Sequence, residues 1–199
     1  KTKEERQAKQ KGVDPVEIVI AKDALTVVVH PENPVKQLTM QQLSDIFTGI
    51  ITNWKDVGGP NAPIVVYSRE SSSGTYAFFR EHVMGNKEYT SAALLAPATG
   101  AIVQSVSQTK GAVGYIGMAY LTEGVRALAV AKDAKGPFVQ ASAATALDGS
   151  YPVARDLYYY TNGAPKGEAK AFIDFILSPE GQKLVQDVGY VPIKPLSGS

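Results

Sequence analysis

One short stretch, Arg69-Glu70-Ser71-Ser72-Ser73-Gly74-Thr75, brings a guanidinium, a carboxyl, four hydroxyls and a glycine together on the chain. What these groups do well in common is hold an oxyanion. Arginine offers charge-assisted and bidentate donors, hydroxyls add neutral ones, and glycine lets backbone N–H groups approach closely. Two catalytic readings are weaker. A phosphate-cradling P-loop needs Gly-Lys-Ser/Thr, and no lysine follows Gly74. A nucleophile elbow needs Gly-x-Ser-x-Gly, but Glu70 stands two before Ser72 and Ser71 two before Ser73. The chain has two histidines, neither beside a serine motif, so a hydrolytic Ser73 would lack a base. The competing account is structural: serine before a helix is an ordinary N-cap, and Arg next to Glu an ordinary surface pair.

The flanking residues say how the stretch is held. Ile64 to Tyr67 has the composition of a buried strand that Arg69 closes, and Tyr76, Phe79 and Val83 recur at helical spacing. The serines therefore fall where a strand feeds a helix. The first N–H groups of a helix lack intrahelical acceptors, and the macrodipole places roughly half a positive charge there. Ser73, Gly74 and Thr75 are expected at that end.

Along the rest of the chain, Lys1 to Lys11 reads as a solvated, charged helix, and Glu17 to Ala21 and Leu25 to His30 as two strands. A capping box (Thr39, Gln42) and a hydrophobic staple (Leu38, Leu43) open a helix that packs through Leu43, Ile46 and Phe47 and ends at Gly49. Trp54 reads as a packing anchor rather than a ligand platform. Gly85 to Ala96 reads as a variable-looking connection, and Thr99 to Thr109 as a helix with Ile102, Val103 and Val106 inward, so that Thr99-Gly100 is a second helix N-terminus. Thr99 and Gly100 are secondary candidates for the anion, with helix capping as the favoured role of Thr99. Ala112 to Ile116 is a strand between glycines, Phe138 to Asp148 a small helix or irregular segment, and Tyr151 to Thr161 a long strand whose tyrosines at 158, 159 and 160 put at least one face in the core. Lys166 to Leu177 carries an apolar stripe (Ala169, Phe172, Ile173, Ile176, Leu177), and Ser178-Pro179 opens a last helix that Gly189 ends.

Composition bounds the class. With 199 residues, 44% hydrophobic and 20% charged, the chain is an ordinary globular one, and alternating strands and helices make it α/β. A net charge of +1 gives no electrostatic footprint for nucleic acid, so any anion affinity must be local. Without cysteine there is no disulfide or thiolate metal site, and a metal role for the isolated His30 is disfavoured; no metal and no cofactor is expected. No apolar run reaches the roughly 20 residues that span a bilayer, and the sequence opens without a signal-peptide pattern, as expected of a mature exported protein that has lost one.

Ser-Arg-Glu-Ser-Ser-Ser-Gly-Thr resembles the phosphate-binding loop of the PstS family, the substrate-binding proteins of phosphate ABC transporters. Ile18 to Ala24, Leu43 to Gly59, Gly111 to Gly117, Tyr151 to Arg155, and Ser178 to Gln182 through Gly189 to Pro192 match the same family in order and spacing. The resemblance implies a two-lobed periplasmic-binding-protein-like fold (type II) with strand crossovers near Ala24 to Val29 and Tyr151 to Tyr160. Members begin with a further stretch carrying a first anion loop and an acidic residue. Because this chain opens at Lys1-Thr-Lys-Glu-Glu5, the first lobe is expected to be incomplete: 1–24 as part of the first lobe, 25–150 as the second lobe with the anion loop, and 151–199 as the return to the first.

On this resemblance the function is binding of inorganic phosphate at the inter-lobe cleft, not catalysis. Arg69 gives a charge-assisted bond, Ser73 and Thr75 hydroxyls, Gly74 and Thr75 backbone N–H, with Ser71 and Ser72 helping. Some relatives have an acid where Ser71 stands, so recognition of the phosphate proton falls to Glu70 or to the absent stretch. Implied partners are a transmembrane permease and either a complementary N-terminal fragment or a second copy; the implied location is periplasmic or extracellular. The alternatives are a receptor for another oxyanion, sulfate or molybdate, and a structural or interaction module built on a binding-protein lobe.

Overall fold

A computed structural model describes residues 2–196, with side chains from residue 4. Its elements divide into two compact units. The described residues up to Asp23 and from Arg155 onward form one, and Ala24–Ala154 forms the other.

The Ala24–Ala154 unit is built on a sheet in the order β4 (Leu94–Ala96), β3 (Val65–Arg69), β5 (Ala112–Gly117), β1 (Pro15–Val29), β6 (Arg126–Ala127). β3 runs parallel to both β4 and β5, whereas β1 is antiparallel to β5 and β6. A second pair, β2 (Gln37–Thr39) and β7 (Ala129–Ala131), is parallel. Successive residues of a strand face opposite sides, and β5 uses both. Ala112 and Ile116 join Val28, Ala96, Ile102, Val106 and Val125 in one buried cluster, which includes the inner face of α4 (Thr99–Gln108). On the other side the Tyr115 ring stacks on Phe79 of α3 (Gly74–His82), with centroids 4.1 Å apart, and Phe47 of α2 (Met40–Phe47) meets both rings. Gly114 is required by this packing, since a Cβ there would lie 2.6 Å from the Ile102 Cγ2.

The helices form where the sequence marks them. Thr39 and Gln42 make the capping box that opens α2; Leu43, Ile46 and Phe47 are fully buried, and Gly49 takes φ +81° beyond the last turn. Each such aliphatic or aromatic side chain withdrawn from water contributes about 1.5–3 kcal/mol. Trp54 lies in a short 3-10 turn (Trp54–Val57), is 1% exposed, and donates its indole N–H to the Gly111 carbonyl at 2.9 Å, as expected of a packing anchor. The small helix α5 (Ala143–Leu147) opens on a capping box at Ser142 and Thr145.

In the split unit, α1 (Thr2–Gln10) precedes β1; Lys1 lies outside the described residues. The two strands expected between Glu17 and His30 are one, β1, with no turn at Lys22-Asp23. Charge explains why a strand can continue there: β8 (Ala154–Asn162) pairs with β1 and supplies counter-ions. Lys22 pairs with Asp156 at 2.6 Å, and the buried Asp23 takes both Nε and Nη2 of Arg155. The tyrosines of β8 depart from expectation. Tyr158 is half-buried, Tyr159 and Tyr160 are exposed, and Tyr159 meets the exposed Phe172 edge-on. After β8 come α6 (Gly167–Ile176) and α7 (Pro179–Asp187), the latter capped by Ser178 with Pro179 in its first turn. The α6 stripe is only partly covered: Ile173 is 6% exposed and Ile176 and Leu177 are half-buried, but Ala169 is exposed and Phe172 is 55% exposed. Two close fits lock the helices. A Cβ at Gly181 would stand 2.2 Å from the Phe175 carbonyl, and the buried Gln182 amide donates to the Ile20 and Ile176 carbonyls while accepting from the Ile193 N–H.

Candidate functional site

β3 ends at Arg69, and a turn closed by the Ser73 N–H on the Glu70 carbonyl (2.9 Å) puts Ser71 and Ser72 at its exposed tip. α3 starts immediately after. Ser73 is its N-cap, extended at φ −76°, ψ 128°, with its hydroxyl accepting from the Thr75 N–H at 3.2 Å, and the helical ladder begins with Ala77 N–H to the Ser73 carbonyl. The structure thus brings Arg69, Ser73, Gly74 and Thr75 to one strand-to-helix junction. A Cβ built on Gly74 meets nothing within 4 Å, so the approach to this backbone is open. Glu70 contributes its carbonyl to the turn and is itself exposed.

The guanidinium of Arg69 is held by the neighbouring strand-to-helix junction. Arg69 stands opposite Ala96 in the parallel β3–β4 pair, and the chain then passes through Pro97 into α4. Nη2 donates to the Pro97 carbonyl at 3.1 Å and Nη1 to the Thr99 Oγ1 at 3.0 Å, while Nε is buried without a partner. This corrects the capping role expected for Thr99. The N-cap of α4 is Ala98, which makes no side-chain cap, and Thr99 is the first helical residue with its hydroxyl committed to Arg69. Gly100 is exposed, with space where a side chain would be.

Beneath the junction lies a cluster of hydroxyls that sequence reasoning missed. The Tyr115 OH stands 2.8 Å from the Ser68 Oγ and 2.9 Å from the Tyr89 OH, and accepts from the Arg69 backbone N–H at 3.3 Å. Ser68, 0% exposed, donates to the Arg69 carbonyl at 3.2 Å. The Tyr89 OH also donates to the Tyr76 carbonyl at 3.3 Å, so the three hydroxyl protons of Ser68, Tyr89 and Tyr115 are shared among four contacts, with Ser68 donating to Arg69. Burial pushes both phenols above their ordinary range, so they stay protonated donors. The available signal was Ser68, a polar residue inside an otherwise apolar strand, where a buried hydroxyl demands a partner.

Other groups serve structure. The His30 Nδ1 accepts from the Glu32 N–H in its own turn, and among the described residues no cluster of three or more His, Asp or Glu could hold a metal.

The family model of the PBP superfamily domain matches residues 1–180. A phosphate-bound substrate-binding protein of Clostridium perfringens, assigned to a phosphate ABC transporter, is 39% identical with a TM-score of 0.78 over 94% of this chain and 75% of that one. PstS of Borrelia burgdorferi is 30% identical with a TM-score of 0.75 over 96% and 76%. The chain belongs to the PstS family of the PBP superfamily. The phosphate-binding protein PstS of Pseudomonas aeruginosa is 36% identical over 199 aligned residues, 92% of this chain and 61% of that protein. The chain thus spans about three fifths of the length of such PstS relatives. The family is one of substrate-binding transport proteins and not of enzymes, which closes the hydrolase reading of Ser73. Its type II binding-protein fold is the α/β architecture seen here.

Proposed function

We propose that this chain binds inorganic phosphate at the N-terminus of α3, as part of the extracytoplasmic receptor of a phosphate ABC importer that hands its cargo to a transmembrane permease. The observation that carries the reading is the pair of neighbouring strand-to-helix junctions: a capping serine and a glycine with room for close approach at the start of α3, and the Arg69 guanidinium clamped by Pro97 and Thr99 at the start of α4. Arg69 offers charge, Ser73 and Thr75 offer hydroxyls, Gly74 its backbone N–H and Thr75 the N–H that now caps onto Ser73 and would turn to the ligand, and Ser71 and Ser72 lie at the exposed tip where they can close over a ligand. The phosphate-binding names of the relatives support the ligand class. An exported location is in keeping with the family, and among the described residues no helix is long and apolar enough to cross a membrane. The reading includes the division into a partial first lobe, 1–24 and 151–199, and a second lobe, 25–150, with a complementary N-terminal piece finishing the first lobe and the ligand's coordination.

Calorimetric titration tests it, with phosphate, sulfate and molybdate added to the chain alone and to the chain supplemented with the N-terminal segment of a longer relative. Phosphate is expected to bind, with Arg69→Ala weakening it at least about tenfold, because a charge-assisted bond to a desolvated anion is worth about 1.5–3 kcal/mol. Equal affinities for wild type and variant would remove Arg69 from the site. A preference for sulfate would replace the ligand.

A further inference from the structure

We propose that Thr99 is a positioning residue for the anion site, acting through Arg69 and not on the ligand; the inference rests on the reading of Arg69 as the anion-binding cation. A free arginine side chain samples many rotamers, and each must be given up when an anion is gripped. Here that ordering is already built in. Of the five guanidinium hydrogens, one on Nη1 goes to Thr99 and one on Nη2 to Pro97. The Nε hydrogen is buried, and one hydrogen on each Nη remains. The plane of the fork and the direction of its unengaged edge are thereby fixed before any ligand arrives.

The acceptors are themselves fixed. Pro97 follows Ala96, which is in register with Arg69 across the parallel β3–β4 pair, so its carbonyl is carried by the ladder. Thr99 is β-branched, has a restricted χ1, and stands in the first turn of a helix that buries Ile102 and Val106. Its hydroxyl does not cap α4. A threonine at a helix start that leaves the cap unmade and instead receives a guanidinium hydrogen is explained by the orientation of Arg69.

Two measurements decide it. In phosphate calorimetry on the chain, with its N-terminal piece where binding requires one, Thr99→Val keeps the shape but removes the acceptor. It is expected to weaken phosphate by about tenfold, the usual scale for one charge-assisted bond. Thr99→Ser restores most of the affinity. In an Arg69→Ala background Thr99→Val adds no further loss. An undiminished loss in that background means that Thr99 touches the ligand and overturns the proposal, as does full affinity in the single variant.

The second measurement needs no ligand. Proton–nitrogen NMR of the Arg69 side chain is expected to show restricted, slowly exchanging Nη signals in wild type and Thr99→Ser, and averaged ones in Thr99→Val. Unchanged signals in Thr99→Val also overturn it. If wild type binds no phosphate, or Arg69→Ala keeps full affinity, the functional reading fails while the NMR comparison still decides the clamp.

Discussion

The Ser73 hydroxyl accepts from the Thr75 N–H, which leaves its own proton to donate away from the helix. Ser71 and Ser72, at the exposed turn tip, have no such fixed geometry. Ser73→Ala is therefore expected to weaken phosphate more than Ser71→Ala or Ser72→Ala, and also to cost about 1 kcal/mol of stability as a lost cap. Titration of the three variants gives the ranking, and denaturant unfolding gives the second effect. A larger affinity loss at Ser71 would put the loop's register two residues away. This junction was legible because each part is local: a β-branched run, serines, a glycine, then helical spacing. The role of Thr99 was not, since a hydroxyl at a helix start looks the same whether it caps or receives Arg69. Only the β3–β4 register, a non-local fact, sets Ala96 beside Arg69 and separates the two.

Between elements, one side chain ties the site to the sheet. Tyr115 of β5 stacks on Phe79 of α3 and binds the backbone N–H at the end of β3. Tyr115→Phe keeps the stack but leaves Ser68 and the Arg69 N–H short of a buried partner, which should cost about 1–3 kcal/mol in denaturant unfolding. A change below a few tenths would mean that the hydroxyl cluster carries no stability. Burial also holds Tyr89, Tyr115 and Tyr151 above the ordinary phenol value of 10.0. The folded values are raised, so the stability they supply is complete below the unfolded chain's pKa and lost as pH climbs toward the folded ones. The unfolding midpoint should stay level through neutral pH and fall above about pH 10, and a spectrophotometric titration should show these phenols ionising only on unfolding. The break expected in β1 has the opposite lesson. Lys22-Asp23 looks like a turn until β8, far along the chain, supplies Asp156 and Arg155.

For the molecule as a whole, the split unit leaves Phe172, Phe175, Leu184, Val188 and Tyr190 between 43% and 67% exposed on α6, α7 and the residues after them. So many large apolar side chains exposed on two successive helices and the residues after them favour burial against a partner. If the proposed reading of a partial first lobe holds, the 199-residue chain on its own is expected to self-associate at micromolar concentration, burying roughly the 1,200–2,000 Å² of a standard interface, and to become monomeric when the N-terminal segment of a longer relative is added. Light scattering checks this, and a monodisperse monomer with cooperative unfolding overturns it. The two units also differ in how the chain visits them. Ala24–Ala154 is one uninterrupted run, whereas the other unit needs residues from both ends. During synthesis every strand and helix of the uninterrupted run is made before Arg155 is added, so its sheet can begin to close before the residues of the split unit have all emerged. Closing the split unit must wait for the last helices and span the whole intervening loop, the slower kind of pairing. A polypeptide cut short near Ala154 would already carry Arg69, its clamp and the serine turn on a finished sheet; what it would lack is everything that has to come back to meet the beginning.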